Sequence, residues 1–205
     1  MKSQNIYFDL DDTLINTRDT ILKRINLLLE KYPLGIDSTF VYKLLVNPRR
    51  EHLLSGDKKM SRDFWSGYER LRKIITATPI PGAKETLEFL SSKGNKLGII
   101  TNNICSKTLE KLQYAGIDLS LFNRGIYSCL DNGCPKPSSK IISHLGLDSK
   151  DFTYVGEDVT DYDFARNSGA DFYAVCTGEY RKEDFTKLGL SKDRIFPSIR
   201  EVFQR

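Results

Sequence analysis

Histidine and cysteine are both scarce in this chain of 205 residues. Four cysteines, Cys105, Cys129, Cys134 and Cys176, form no CxxC pair and are too thin for a secreted disulfide scaffold; that usage fits a reducing cytoplasm. Cys129 and Cys134 lie close enough to suggest half a zinc site, yet His52 and His144 are the only imidazoles to complete it. No apolar run approaches the ~20 residues a bilayer span needs. The chain runs from Met1 straight into the strand-like Asn5-Ile6-Tyr7-Phe8, so no signal peptide is expected. Internal repeats and low-complexity segments are absent, and a net charge of +4 is too mild to argue for nucleic acid.

What is present is an ordinary globular composition, 40% hydrophobic and 28% charged. The length suits one domain with a sizeable insertion, able to bury around 70% of its unfolded surface without disulfides. Charge is unevenly spread. Residues 40–80 hold nine basic side chains (Lys43, Arg49, Arg50, Lys58, Lys59, Arg62, Arg70, Arg72 and Lys73) against Glu51, Asp57, Asp63 and Glu69, so the whole positive excess sits there.

After the first strand, Asn16 and Asp19 read as the N-cap and first-turn acid of a helix carrying Ile21, Leu22, Ile25, Leu28 and Leu29 at helical spacing. Residues 38–47 and 61–76 follow as helices, making residues 16–78 a helical block without a convincing strand. From Pro79 the texture changes to alternation. A helix after Pro81-Gly82 leads to strand 97–100, a helix at 106–115 to strand 125–128, a helix at 138–145 to strand 152–155, and a helix at 161–168 to strand 171–176. Such alternation predicts an α/β fold, a Rossmann-like parallel sheet with helices on both faces, whose ligands bind at the carboxyl ends of strands. The helical block interrupts it between the first and second strands, where a lid belongs. The expected organisation is a core of residues 1–15 and 79–205 with a cap at 16–78.

Chemistry-bearing residues fall at those strand ends. Phe8-Asp9-Leu10-Asp11-Asp12-Thr13-Leu14 places three acids where an apolar strand runs out, and alternation along an extended segment points Asp9 and Asp11 the same way. Paired carboxylates are costly unless a cation or a shared proton compensates. Thr101-Asn102-Asn103 offers a hydroxyl and backbone N–H groups near a helix start, which suits a phosphate oxygen. Lys136 is held between Pro135 and Pro137. A second acidic cluster, Gly156-Glu157-Asp158-Val159-Thr160-Asp161, supplies oxygens for a hard cation. Taken singly, each reads equally as turn, cap or solvated charge; meeting in one crevice, they suit phosphoryl transfer.

On these four motifs, in this order, the sequence resembles the haloacid dehalogenase-like hydrolase superfamily, with Ile80-Pro81-Gly82 and His144-Leu145-Gly146-Leu147 similar to its phosphoglycolate-phosphatase-like branch. The resemblance spans residues 4–15 and 79–178. It implies a cytoplasmic magnesium-dependent phosphatase acting on a small anionic phosphorylated metabolite, with neither nucleic acid nor membrane as partner. It further implies Asp9 as the nucleophile that becomes aspartyl-phosphate and Asp11 as general acid and base. Thr101 and Asn102 with Lys136 would hold the phosphoryl group. Magnesium would bind the Asp9 carboxylate, the Asp11 carbonyl and Glu157, with Asp158 in reserve and Asp161 as the supporting acid. Glu157 departs from the branch, which has aspartate there, and leans toward a second reading as a non-catalytic phosphate-binding regulatory module. A phosphomutase using the same intermediate is a third. Arg49, Arg50 and His52 are the first candidates to read the rest of the substrate, although most charges of that segment are expected to be solvated. Phe64, Trp65 and Tyr68 are expected to be core of the cap.

Overall fold

The computed structural model describes residues 4–45, 58–147 and 152–203. The chain divides into two compact units, one of residues 1–16 with 78–205, the other of residues 17–77.

The larger unit is built on six parallel strands in the order β5-β4-β1-β6-β7-β8: β1 (Asn5–Phe8), β4 (Lys96–Thr101), β5 (Ile126–Ser128), β6 (Phe152–Gly156), β7 (Asp171–Val175) and β8 (Ile195–Phe196). The central strands are covered on both faces, which explains their continuous apolar runs: Ile6, Tyr7, Phe8, Leu97, Ile99, Ile100 and all of β6 are buried. The crossover helices are α4 (Ala83–Ser92), α5 (Cys105–Tyr114), α6 (Lys140–Leu145) and α7 (Val159–Ser168). From β1 the chain moves to β4 and β5 on one side, then crosses back to β6, β7 and β8 on the other. The strand order therefore reverses between β1 and β6, and a crevice opens at their carboxyl ends.

Two expectations are corrected here. The segment around residues 16–78 is not bounded by helix alone, since β2 (Ile15–Asn16) pairs antiparallel with β3 (Thr78–Pro79). Asn16 belongs to that ladder, and Thr17 precedes the first helix without a side-chain cap bond. A two-residue ladder is too short to leave an alternating pattern. Beyond Val175, α8 (Lys182–Lys187), β8 and α9 (Ile199–Val202) extend the unit without a periodic signal of their own.

The smaller unit comprises α1 (Arg18–Lys31), α2 (Ser38–Leu45) and α3 (Lys58–Ile74) around Ile25, Leu28, Val41, Leu44, Phe64 and Tyr68. Phe64 and Tyr68 are buried, and Trp65 packs edge-on between them, so the aromatic stripe is core. Arg24 is buried too, its guanidinium donating twice to the Ile75 carbonyl at 2.9 and 2.6 Å. Lys43, Lys59, Arg62, Arg70 and Lys73 are exposed, the solvated helix charges expected of them. Arg49, Arg50 and His52 lie outside the described residues. No described helix is long and apolar enough to cross a membrane.

Candidate active site

Asp9 is the first residue past β1, and its backbone N–H donates to Val155 of β6 at 2.9 Å, so it stands at the reversal of strand order. Its carboxylate is buried and accepts from the Lys136 ammonium at 2.6 Å. Lys136 arrives from the loop after β5. Its backbone N–H donates to the Asn102 side-chain oxygen at 2.8 Å, which anchors that loop to the end of β4. The same ammonium donates to Asp161 at 2.6 Å and to the Tyr154 hydroxyl at 3.0 Å. Burial by itself would lower the Lys136 pKa, but the carboxylates of Asp161 and Asp9 outweigh it and hold the group charged.

Asp161 supports the fourth motif from within α7. Its second oxygen accepts the backbone N–H groups of Glu157 and Asp158, both at 3.1 Å. Gly156 permits this approach, because a Cβ there would strike the Asp161 carboxylate. Asp158 caps α7, accepting from Thr160 N at 2.7 Å. Glu157 is left facing the site. Its carboxyl lies against Gly178, where any side chain would collide with it.

The second acid of the first motif, Asp11, is held by two side chains, of which Lys111 was unforeseen from sequence. Lys111 of α5 donates to one carboxylate oxygen at 2.6 Å, and Asn103 Nδ2 donates to the other at 2.5 Å. Asn103 also donates to the Thr101 hydroxyl, at 2.9 Å from its side chain and 3.2 Å from its backbone. Asp12 adopts a left-handed φ of 53°, and its carbonyl accepts from the Thr177 hydroxyl. Tyr154, which reads in sequence as one more apolar strand residue, is within hydrogen-bond reach of both Lys136 and Asp161.

The electrostatics follow from crowding acids in a dry crevice. Burial, followed by the charges of Asp161 and Asp11, pushes Asp9 up to about 7 despite Lys136. Burial also raises Glu157, and Asp161, Asp9, Asp158 and Asp12 add to it, bringing the carboxyl to about 9. Among the described residues no three His, Cys, Asp or Glu side chains gather as a ready ligand set. What fits a divalent cation is the local surplus of negative charge and the hard oxygen character of the groups around Glu157 and Asp9. The cysteine pair does not fit zinc: Cys129 and Cys134 are buried in the apolar core, and burial pushes the Cys129 thiol up to about 11.

A doubly wound parallel sheet with an acid-and-lysine cluster at its switch point defines an α/β protein whose site suits an anionic ligand. The chain belongs to the haloacid dehalogenase-like hydrolase family, whose sequence model matches residues 6–175. A pyrophosphatase, PpaX of Halalkalibacterium halodurans, is 26% identical over 204 residues, covering 91% of this chain and 89% of the relative. A phosphoglycolate phosphatase of Caulobacter vibrioides is 25% identical over 208 residues, covering 92% of this chain and 85% of the relative. Among solved structures, a family hydrolase from Deinococcus radiodurans with bound phosphate and sodium superposes with a TM-score of 0.75 at 18% identity, covering 98% of this chain and 93% of that one. Within the family the chain is an enzyme of the phosphatase type.

Proposed function

We propose that the chain is a magnesium-dependent phosphatase of small phosphorylated metabolites, acting through an aspartyl-phosphate on Asp9. The observation that carries this reading is the Asp9 carboxylate held by the Lys136 ammonium at 2.6 Å at the end of β1, with a second anchored carboxylate, Asp11, two residues on. In the first step an Asp9 oxygen attacks phosphorus, the bond to the leaving oxygen breaks, and protonated Asp11 gives that oxygen its proton. In the second, water attacks the same phosphorus, the bond to Asp9 breaks, and Asp11 takes the water's proton. Phosphate and the starting enzyme result.

Lys136 offsets charge that builds on Asp9 and the phosphoryl oxygens. The Thr101 hydroxyl accepts from Asn103, so its own O–H is the donor left for a phosphoryl oxygen. Asn102 acts one step back, by fixing the lysine loop. Magnesium would be held by the Asp9 carboxylate, the Asp11 carbonyl and Glu157; Asp158 is engaged as a helix cap, which favours Glu157. Bound there, the cation would supply charge neutralisation toward the phosphoryl group. Residues 17–77 would serve as the cap. The named relatives act on pyrophosphate and phosphoglycolate, and small anions of that kind are the substrates we assign here.

Phosphate release from pyrophosphate, phosphoglycolate and a panel of sugar and nucleoside monophosphates tests the reading, with and without magnesium and with Asp9→Asn as control. Release that needs both metal and Asp9, and needs no acceptor sugar, supports a phosphatase. Transfer to an acceptor sugar phosphate in place of release to water would mark a mutase, and binding without release a regulatory module.

A further inference from the structure

Both oxygens of Asp11 are held by side chains from one other segment of the fold, the end of β4 and the helix that follows it. Lys111 Nζ sits 2.6 Å from one oxygen and Asn103 Nδ2 2.5 Å from the other. Lys111 and Asn103 are themselves 3.4 Å apart, and Asn103 is tied down by Thr101. Two donors on two oxygens fix the plane of a carboxylate, not merely its position. Lys111 is no ordinary helix-surface charge either: its side chain is only 23% exposed, although water is open to a lysine on a surface helix.

We infer that Lys111 and Asn103 are positioning residues that orient Asp11 as the base for the second step, the attack of water on the aspartyl-phosphate. The inference rests on the two-step reading above. With its plane fixed by the two donors, the carboxylate meets an incoming water in one orientation. In that step water's oxygen bonds to phosphorus, the phosphorus–Asp9 bond breaks, and the proton passes to Asp11. The clamp contributes nothing to the first step when the leaving group departs without a proton.

The test separates the steps by choice of substrate. p-Nitrophenyl phosphate has a leaving group that needs no proton, so kcat/KM reports formation of the aspartyl-phosphate while kcat reports its hydrolysis. Lys111→Met is expected to lower kcat by about 10-fold or more, within the ~10²–10⁴ that acid–base catalysis contributes. KM should fall with it, leaving kcat/KM near wild type, and phosphorylated enzyme should accumulate in acid-quenched samples read by intact mass. Asn103→Ala should move in the same direction, and Lys111→Arg should restore kcat. If kcat and kcat/KM instead fall together with no phosphoenzyme, or if neither variant changes kcat, the positioning role is overturned. Asp9→Asn separates the two ideas: should it turn over and carry phosphate like wild type, the aspartyl-phosphate reading fails. If it is inert while Lys111→Met behaves as wild type, only the clamp fails.

Discussion

Replacing Lys136 by methionine keeps most of the unbranched side chain and removes the charge that Asp9 and Asp161 share. Both ion pairs are 2.6 Å long and all three side chains are almost wholly buried. Removing one partner of a buried ion pair costs roughly 3–5 kcal/mol, because the remaining charge is stranded. For a chain of this size that corresponds to a fall of roughly 6–20 °C in Tm. The loss should also depend on pH in a definite direction. Burial already lifts Asp9 from 3.8 to about 7, so the folded chain holds that proton more tightly than the unfolded chain does. This contribution is fully present below about pH 4 and is lost as pH rises through about 7. Lys136 is the chief influence opposing the lift, and without it Asp9 moves higher still. The variant's deficit should therefore be modest at pH 5, where the Asp9 carboxyl can protonate, and large at pH 8, where it is forced to ionise beside Asp161. Urea unfolding of both proteins at the two pH values, in EDTA so that no divalent cation substitutes for the ammonium, measures this. A deficit below about 1 kcal/mol, or one equal at pH 5 and pH 8, would refute the account of the cluster as charges balanced on one lysine.

Three further outcomes follow from the same geometry. Magnesium should raise the Tm of wild type by more at pH 8 than at pH 6, because Asp9 at about 7 and Glu157 at about 9 must lose protons to ligate it; a shift equal or larger at pH 6 contradicts this. Glu157→Gln should abolish the magnesium shift, whereas Asp158→Ala should keep it and cost the cap of α7, ~1 kcal/mol; the opposite pattern in thermal melts reassigns the metal to Asp158. Gly178→Ala should weaken magnesium at least as much as it weakens the fold, since its Cβ falls on the Glu157 carboxyl; calorimetric magnesium affinity equal to wild type would show that Glu157 is not the ligand.

The sheet was legible because its central strands are buried on both faces and end in breakers. Phe152 to Gly156 contains no polar alternation to confuse with a surface helix, and Gly146 and Gly169 stop the helices on either side with left-handed caps. The same logic pointed to Asp9 and Glu157, since an acid directly after an apolar strand of a parallel sheet has one crevice to enter; Lys136, eight residues past β5, was marked by its two prolines instead. Legibility fails where a side chain reaches the crevice from the middle of an element. Tyr154 occupies an interior strand position and looks like packing; only its hydroxyl distances to Lys136 and Asp161 reveal it as polar support. Asn102 was read as a phosphate ligand; what its place at a strand end does not encode is the bond its side-chain oxygen accepts from Lys136 N, across 34 positions of sequence. Lys111 is the instructive case. It stands 100 residues from Asp11, amid Lys107 and Glu110, and reads as one more solvated charge on α5. Yet Thr108 and Leu112 are the buried residues of that helix, and Lys111 sits three positions after the first and next to the second. A lysine at the margin of a helix's buried face, on the helix that leaves a strand end already carrying Thr101 and Asn103, has its stem directed along that face toward the strand end it came from. The spacing alone does not single it out, because Lys107 lies one turn earlier on the same face and stands to Thr108 as Lys111 stands to Leu112, yet pairs with Glu110.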